Sequence, residues 1–129
     1  MLTLQVKSHK QFECINITSQ IQNLIRDSGV KDGIATIYCP HTTAAITINE
    51  GADPAVTKDL LNELDKVIPL RDNYQHLEGN SAAHIKSSII GCSESVIIEN
   101  GSIILGTWQA IFFCEFDGPR SRKLYIKFQ

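Results

Sequence analysis

The chain lacks long hydrophobic runs and blocks of like charge, and these absences exclude several classes of protein. None of its 129 residues falls in an apolar run of about 18, so we expect no membrane-spanning helix. Its 12 Lys and Arg against 14 Asp and Glu give a formal net charge of −2, without a basic cluster. Because nucleic-acid backbones are usually bound by clustered positive charge, we expect no nucleic-acid partner. The segment from Met1 to Lys7 has neither the basic nor the apolar region of a signal peptide, which predicts a cytoplasmic protein.

Cysteine is also scarce, and its spacing is not that of a disulfide framework or a zinc motif. The four cysteines are far apart in the sequence and form no Cys-x-x-Cys pair; they are Cys14, Cys39, Cys92 and Cys114. We interpret them as small buried thiols in a reducing compartment. Cys39 is singled out because it lies two residues before His41.

Apolar residues make up 43% of the chain, enough for the core of one domain over residues 1–129. Their spacing predicts strands near 2–6, 12–17, 34–39, 44–49, 95–99, 102–105, 107–116 and 123–128, the first two forming a pair. Helices are predicted after caps at Thr18 or Ser19, at Asp53, and at Asn80 or Ser81, ending near Gly29, Pro69 and Gly91. Hairpins such as that at Asn100-Gly101, rather than βαβ alternation, predict an α+β fold: a mixed, mostly antiparallel, sandwich-like sheet with a few helices packed on it.

The segment from 108 to 116 is apolar on both faces of a predicted strand. One face carries Trp108, Ala110, Phe112, Cys114 and Phe116, and the other carries Ile111 and Phe113. Such a strand must be covered on both sides, and in so short a chain one cover is expected to be another subunit. On that ground we predict an oligomer.

Two histidines flank a predicted helix N-terminus. His76 lies in the polar loop before the helix, and His84 falls in its first turn. Helix N-termini attract phosphate or carboxylate, and histidine is both the commonest metal ligand and the side chain that titrates nearest neutral pH. The spacing matches no standard zinc motif, and a helical histidine is often only structural. A metal site, an acid–base pair and a structural role therefore stay open.

A third histidine lies at a strand connection. His41, Thr42 and Thr43 can orient a phosphate or a polar heterocycle, and the alternative is a turn held by the threonine hydroxyls. Further on, Asp53 is most simply a helix cap. Glu50 has no such role and is a candidate metal ligand, histidine partner or general base.

Charged residues cluster near the end of the 107–116 strand. Gln109, Glu115 and Asp117 share a strand face by the period of two, and Arg120 and Arg122 follow in the next turn. Arginine forks match phosphate and carboxylate geometry. The alternative is an ion-pair cluster that fixes the turn, which we expect for one arginine rather than for both.

Together these segments resemble the YjbQ-like family of small cytosolic proteins, labelled secondary thiamine-phosphate synthases. The motifs, in chain order, are His41-Thr-Thr-Ala-Ala-Ile46, Ile48-Asn-Glu50 with Ala52-Asp-Pro54, His76-Leu-Glu-Gly-Asn80, Ala83-His-Ile-Lys86, Leu105-Gly-Thr-Trp-Gln109 and Glu115-Phe-Asp-Gly-Pro-Arg-Ser-Arg122. The resemblance implies a YjbQ-like fold and a homotrimer with sites near the subunit boundaries. It also implies a histidine-lined cleft that holds an anion or a divalent metal ion, with zinc favoured over magnesium.

The resemblance further implies roles for individual residues. The metal ligands are His41, His76 and His84; the catalytic residues are His84, Glu50, Arg120 and Arg122; the ligand-binding residues are Thr42, Thr43, Asn80 and Gln109; and Asp53, Glu78 and Glu115 are surrounding polar residues. The implied reaction joins a pyrimidine diphosphate to a thiazole phosphate, giving thiamine phosphate and pyrophosphate. A divalent ion and an arginine can neutralise the departing pyrophosphate, so the residue chemistry is compatible with it.

Two other functions stay open. The first is a non-catalytic binder of a phosphorylated metabolite or metal, which needs no group poised for proton transfer. The second is a metal-dependent hydrolase, whose ion must keep an open position for water.

Overall fold

Eight strands and three helices make up the chain, and the computed structural model describes all of residues 1–129. In chain order they are β1 (Leu2–Lys7), β2 (Glu13–Asn16), α1 (Thr18–Ser28), β3 (Gly33–Tyr38), β4 (Ala44–Glu50), α2 (Pro54–Val67), α3 (Ser81–Ile90), β5 (Ser93–Glu99), β6 (Ser102–Ile104), β7 (Gln109–Glu115) and β8 (Ser121–Phe128). None of the helices combines the length and the apolarity that crossing a membrane requires.

Every strand pair is antiparallel, in two sheets with the orders β1-β8-β3-β5-β6 and β2-β7-β4. The α+β class and the antiparallel, sandwich-like arrangement are confirmed. The predicted pairing of the first two strands is wrong, because Leu4 of β1 lies opposite Leu124 of β8 and Cys14 of β2 lies opposite Cys114 of β7. Alternating polarity identifies a strand and its buried face, but it does not identify the partner strand.

The main core lies between the two sheets and is closed by α1. It contains Ile37 and Ile126 of the five-stranded sheet, Ile46 and Phe113 of the other sheet, and Ile21 of α1, all fully buried. Burial of a side chain of this size contributes about 1.5–3 kcal/mol relative to exposure. This core fixes the relative positions of the strand ends that carry the polar residues.

A second apolar cluster covers the other face of β7. Phe112 and Cys114 are buried there against Leu61 of α2 and Ala83 of α3. One chain therefore covers both faces of β7. The sequence predicts an oligomer because one face of this strand was expected to need a second subunit. That premise is wrong, because α2 and α3 of the same chain cover the face. Trp108, predicted to extend this face, precedes the strand and is 64% exposed.

Local signals place α2 and the β5–β6 turn correctly. The side chain of Asp53 accepts a hydrogen bond from the backbone N–H of Ala55 at 2.9 Å, and Pro54 opens the helix. Asn100 and Gly101 have φ values of 52° and 78°, as a type I′ turn requires. Both predictions depend only on neighbouring residues.

The helices α1 and α3 lie where predicted, but their predicted side-chain caps are wrong. Neither Thr18 nor Ser19 caps α1; Oδ1 of Asn16 accepts a hydrogen bond from the N–H of Thr18 at 3.1 Å. α3 begins directly after Asn80, whose side chain makes no cap bond and donates instead to Asp117 at 3.0 Å. A tertiary contact has replaced the local one.

A buried lysine joins α3 to α2. Lys86 is 1% exposed, and its Nζ lies 3.3 Å from Oδ1 of Asp65 and 4.2 Å from the centroid of the Phe12 ring. The Asp65 side chain is 49% exposed, so water still hydrates its charge when the pair is broken. The buried Lys86 ammonium cannot be hydrated in this way, so it depends on the ion pair more than Asp65 does.

We predict that Asp65→Asn destabilises the protein more than Lys86→Met. Loss of the carboxylate leaves a buried ammonium without its counter-charge, at an expected cost of roughly 2–3 kcal/mol after allowance for solvent screening. Methionine keeps the buried volume without the charge, so we expect a change below about 1.5 kcal/mol. Urea unfolding beside Asp59→Asn, an exposed position of the same helix, measures the difference. Equal losses in both variants would contradict the inequality.

Candidate functional site

Separate parts of the chain bring polar side chains to one open cleft of about 450 Å³, here called the histidine cleft. The β3–β4 connection supplies Pro40, His41, Thr42 and Thr43; the segment before α3 supplies His76, Glu78 and Asn80; α3 supplies His84; and the segment from β7 to β8 supplies Asp117, Arg120 and Arg122. Apart from Pro40, every side chain that lines it is polar or charged. All three histidines predicted to share a cleft do so.

The floor of the histidine cleft is a buried ion pair. Nε of Arg122 donates to Oε1 of Glu115 at 2.9 Å, and Nη2 donates to Oε2. Nη2 also donates to Oγ1 of Thr43 at 2.8 Å, and Oγ of Ser8 donates to Oε1 of Glu115 at 2.6 Å. Arg122 is 6% exposed and Glu115 is fully buried. The cluster joins β7, β8, the β3–β4 connection and the residue after β1.

The carboxylate in this floor is held in its charged form. Burial by itself raises the pKa of Glu115, but hydrogen bonds from Arg122, Ser8 and the N–H of Asp117 outweigh it. Its pKa therefore lies below the usual value. Because Glu115 is ionised at neutral pH, it neutralises the charge of Arg122.

The turn after β7 leaves no room for a side chain at Gly118. A Cβ there would lie 2.3 Å from the carbonyl oxygen of Lys10 and 2.8 Å from Oγ of Ser8. This close approach packs the turn against the segment that follows β1. The packing fixes Asp117 and Arg120 beside the cleft.

His41 faces the cleft through one ring nitrogen only. Its Nε2 lies 3.0 Å from the backbone N and 3.1 Å from the backbone O of Lys123, so this nitrogen is committed to β8. Burial, and then the charge of Arg122, lowers the pKa of His41. The ring is therefore neutral at neutral pH, and Nδ1 is the atom left for a ligand.

His76 and His84 are neighbours. Their ring centroids are 5.2 Å apart, with the ring planes at 84°. Nε2 of His76 lies 3.8 Å from Oε2 of Glu78; the His76 side chain is nearly half exposed and that of Glu78 is largely exposed. The two imidazoles can therefore act on the same ligand, with a carboxylate at hand.

Asn80, Asp117 and Arg120 connect the two sides of the cleft. Oδ2 of Asp117 accepts from Nδ2 of Asn80 at 3.0 Å and from Nη2 of Arg120 at 3.1 Å. Oδ1 of Asn80 is buried without a hydrogen-bond partner in the protein. Buried acceptors are usually satisfied, so this oxygen is an exception. Because it is buried, a ligand would reach it only after the side chain moves. The Arg120 side chain is 54% exposed and is the arginine that a ligand can reach.

The fixed charges of the cleft nearly cancel. Glu115 balances Arg122, and Asp117 balances Arg120, so both arginines are paired and not just one as predicted. Glu78 adds a further negative charge. A dianionic ligand therefore needs additional positive charge, which protonated histidines or a metal ion can supply.

The structure does not assemble the predicted three-histidine metal site within one chain. No group of three His, Cys, Asp or Glu side chains is positioned to hold a metal ion. Nε2 of His41 is committed to β8, which leaves His76 and His84 as the nitrogen donors. Zinc sites use three or four protein ligands, so the donor types suit zinc but the single chain does not present the set.

Glu50 and Gln109 lie away from the histidine cleft of their own chain. They are opposite each other at one end of the β4–β7 pair, whereas the cleft lies beyond the other end. Six residue steps of strand, roughly 20 Å, separate the two ends. Oε1 of Gln109 accepts from the N–H of Gly106 at 2.8 Å and closes a turn. Within one chain, the catalytic role predicted for Glu50 and the ligand-binding role predicted for Gln109 are therefore not supported.

Sequence reasoning missed Ser8. This residue is 1% exposed, donates to Glu115 and accepts from the N–H of Arg120 at 2.8 Å. It lies 107 residues from Glu115 in the sequence, and no local pattern marks it. Only the folded sheet reveals its role.

The prediction of four buried thiols is wrong for one cysteine. All four are free; Cys39 and Cys114 are buried, Cys14 is partly buried and Cys92 is exposed. Burial raises the pKa of the Cys39 thiol, so the cysteine nearest His41 is not an activated nucleophile. The exposed Cys92 directly follows Gly91, the residue that caps the C-terminus of α3.

Known proteins share this fold over its whole length. A family model described as UPF0047 protein YjbQ-like matches residues 2–129. UPF0047 protein YugU of Bacillus subtilis is 56% identical over 126 residues, covering 97% of this chain and 96% of its own. A UPF0047 protein of Methanocaldococcus jannaschii is 58% identical over 123 residues, covering 95% and 89%. The crystal structure of an uncharacterized YjbQ/UPF0047 family protein from Clostridium acetobutylicum has a TM-score of 0.97 and 52% identity over 100% of both chains.

We predict that the stabilising effect of Glu115 depends on pH. A carboxyl group with a lowered pKa contributes stability that is present above its unfolded pKa of about 4.3 and is lost as the pH falls through the folded value. We therefore expect Glu115→Gln to cost roughly 3 kcal/mol near pH 7, because it leaves Arg122 buried and unpaired, and less in acid. Denaturant unfolding at both pH values, beside the exposed Glu99→Gln, measures this. A cost that is unchanged in acid would show that the carboxylate charge is not the cause.

Proposed function

The chain belongs to the UPF0047 family of YjbQ-like proteins, and on that basis we propose that its histidine cleft binds a small phosphorylated molecule and exchanges protons with it. The composition of the cleft carries this proposal. Three imidazoles and an exposed arginine line one open space, together with Asn80, the residue that directly precedes α3. These groups bind phosphate in proteins and transfer protons near neutral pH.

Each polar residue of the cleft has a distinct proposed role. Arg120 holds a phosphate oxygen, because its guanidinium is half-exposed and Asp117 orients it. Thr42 offers an exposed hydroxyl, whereas Thr43 is buried and accepts from Arg122. Thr42 is therefore the ligand-binding threonine, and Thr43 is structural.

The two neighbouring histidines are the proposed proton-transfer groups. His84 and His76 share one side of the cleft, while His41 is neutral and offers only Nδ1. Protonation of His84 or His76 also supplies the positive charge that a dianion needs in a cleft whose fixed charges cancel. A zinc or magnesium ion would polarise phosphate oxygens when bound. We assign no step to it, since one chain presents no three-donor set.

Thiamine-phosphate synthase activity is the specific reaction that we propose for testing, since the family resemblance implies it. Its substrates, a pyrimidine diphosphate and a thiazole phosphate, carry the phosphoryl groups for which the cleft is suited. We propose a homotrimer on the same resemblance. We also propose a cytoplasmic location, because the four cysteines are free thiols, as is usual in reducing compartments.

We predict that Arg120→Ala weakens the binding of inorganic phosphate about tenfold or more, because it removes a charge-assisted hydrogen bond. Arg26→Ala, an exposed arginine on α1, is the matched control and should have no effect. Calorimetric titration of chelator-treated protein measures both. The proposed function would be contradicted if phosphate bound neither before nor after the addition of Zn²⁺.

Further arms of this experiment separate the two sources of charge. The double variant His76→Gln and His84→Gln removes both imidazoles, so it should weaken the binding of sulfate to chelator-treated protein if the histidines supply the charge. Phosphate binding that chelation abolishes and Zn²⁺ restores would instead establish a metal site. Mass spectrometry of mixtures containing both substrates then tests for thiamine phosphate. Tight phosphate binding without product would favour the non-catalytic binder.

A further inference from the structure

The histidine cleft continues into a second space, here called the side cavity. The side cavity also has a volume of about 450 Å³, and it shares Pro40, His41, Thr42 and His84 with the histidine cleft. The two spaces are therefore adjacent and are together called the groove, with His41 and His84 lining both. A ligand held at these histidines lies beside both spaces.

The lining of the groove changes from charged to uncharged at this junction. The histidine cleft contains Glu78, Asp117, Arg120 and Arg122, whereas no Asp, Glu, Lys or Arg lines the side cavity. The remaining lining residues of the side cavity are Tyr38, Cys39, Ser87, Ser88, Gly91 and Cys92. Only one half of the groove is therefore suited to an ionic group.

The serine hydroxyls of the side cavity are already committed within the protein. Oγ of Ser87 donates to the backbone O of Ala44 at 2.6 Å, and Oγ of Ser88 donates to the backbone O of His84 at 2.9 Å. A second phosphate in this space would find few free donors. An uncharged group loses less by entering it.

Tyr38 gives the side cavity an aromatic wall. It is 45% exposed and stacks on Tyr125 across the β3–β8 pair, with ring centroids 6.5 Å apart and an interplanar angle of 16°. The stacking restricts the tyrosine before any ligand arrives. A planar group packed against such a ring gains contact area with little loss of side-chain entropy.

We propose that the side cavity is a subsite for an uncharged, ring-sized portion of the ligand, whose phosphate occupies the histidine cleft. The inference rests on the proposed function for its phosphate half. It adds Tyr38, Ser88 and Cys92 to the site, none of which any sequence motif marks. The ligand class is a phosphate monoester of a ring-bearing alcohol, since the volume suits a small organic group and inorganic phosphate alone would not use it.

Phenyl phosphate and inorganic phosphate test this subsite. We expect wild-type protein to bind phenyl phosphate about tenfold more tightly than inorganic phosphate, from burial of the ring. Cys92→Trp fills the side cavity at an exposed position and should abolish this preference while leaving inorganic phosphate unaffected. The matched control Cys92→Ser should keep the preference, and circular dichroism checks that both variants fold.

Failure of the subsite is distinguishable from failure of the proposed function. Equal affinities for the two probes in wild-type protein, or equal losses for both in Cys92→Trp, would overturn the subsite. In that case, the phosphate site would stand if wild-type protein still bound inorganic phosphate and Arg120→Ala still weakened this binding. Absence of binding by both probes would remove the proposed function itself.

A second inference, carried by different residues, concerns Cys14 and Cys114, which lie directly opposite each other on β2 and β7. The N–H of Ile17 donates to the backbone O of Ile111 at 2.9 Å, so residues 17 and 111 form a hydrogen-bonded pair. Hydrogen-bonded and non-hydrogen-bonded pairs alternate along an antiparallel ladder, so residues 15 and 113 form the next hydrogen-bonded pair. Residues 14 and 114 therefore form a non-hydrogen-bonded pair, whose Cα atoms are typically about 4.5 Å apart. A disulfide can bridge that separation.

The two thiols differ in accessibility. Cys114 is buried, while Cys14 lines a surface cavity of about 420 Å³ together with Lys10 and Lys58. The hydrogen bond from the Cys114 thiol lowers the pKa of Cys14. The accessible thiol is thus the one that is more readily ionised, and its partner stands behind it.

We propose that hydrogen peroxide oxidises this pair to a cross-strand disulfide. The Cys14 thiolate attacks one peroxide oxygen, and the O–O bond breaks. The other peroxide oxygen departs as water, and Cys14 becomes a sulfenic acid. The Cys114 sulfur then attacks the Cys14 sulfur, the S–S bond forms, and the S–O bond breaks with release of a second water. One peroxide accepts the two electrons and two protons that the two thiols lose.

Peptide mapping of peroxide-treated protein, alkylated after denaturation, tests the pair. We expect a Cys14–Cys114 linked peptide in wild-type protein and in Cys92→Ser. Cys14→Ser should leave Cys114 fully alkylated. Recovery of alkylated Cys14 and Cys114 from wild-type protein, with oxidation confined to Cys92, would overturn this inference.

Discussion

The buried Glu115–Arg122 ion pair is the contact on which the histidine cleft depends. The guanidinium of Arg122, on β8, donates hydrogen bonds to Glu115 of β7 and to Thr43, which immediately precedes β4. Ser8 ties the residue after β1 to the same carboxylate. A buried pair contributes little net stability compared with apolar residues, but once one partner is present the other is indispensable. The pair therefore specifies the geometry of the cleft more than it stabilises the fold.

The same ion pair decides which groups can recognise an anion. Glu115 neutralises Arg122, so the most buried cation of the cleft has little charge left for a ligand. Burial, and then the nearby charge of Arg122, lowers the pKa of His41 and keeps this ring neutral. In the proposed function, recognition of a dianion is therefore assigned to Arg120, which Asp117 partly neutralises, and to the side of the cleft that carries His76 and His84. A polar cleft with three histidines and two arginines thus has little fixed positive charge, a property that a count of residue types does not reveal.

The sequence predicts best the features that depend on neighbouring residues. The cap at Asp53 and the turn at Asn100 are local and are confirmed. The partner of β1 and the role of Ser8 depend on residues more than 100 positions away, and no local pattern contains them. Glu50 shows the opposite error: it lies close to His41 in the sequence, but β4 carries it to the far end of the sheet.

The two adjacent imidazoles are held with different rigidity, and this difference separates their roles. His84 belongs to α3, which Ser87 anchors to β4 and Lys86 anchors to α2. His76 belongs to the 68–80 segment, where residues 71–73 and 75–79 are exposed. The bond from Asn80 to Asp117 connects that segment to the β7–β8 side of the cleft. An acid–base group needs a fixed direction, so His84 is suited to proton transfer. His76 is the less constrained of the two proposed proton-transfer groups, so in the proposed function it can adjust its position to a ligand.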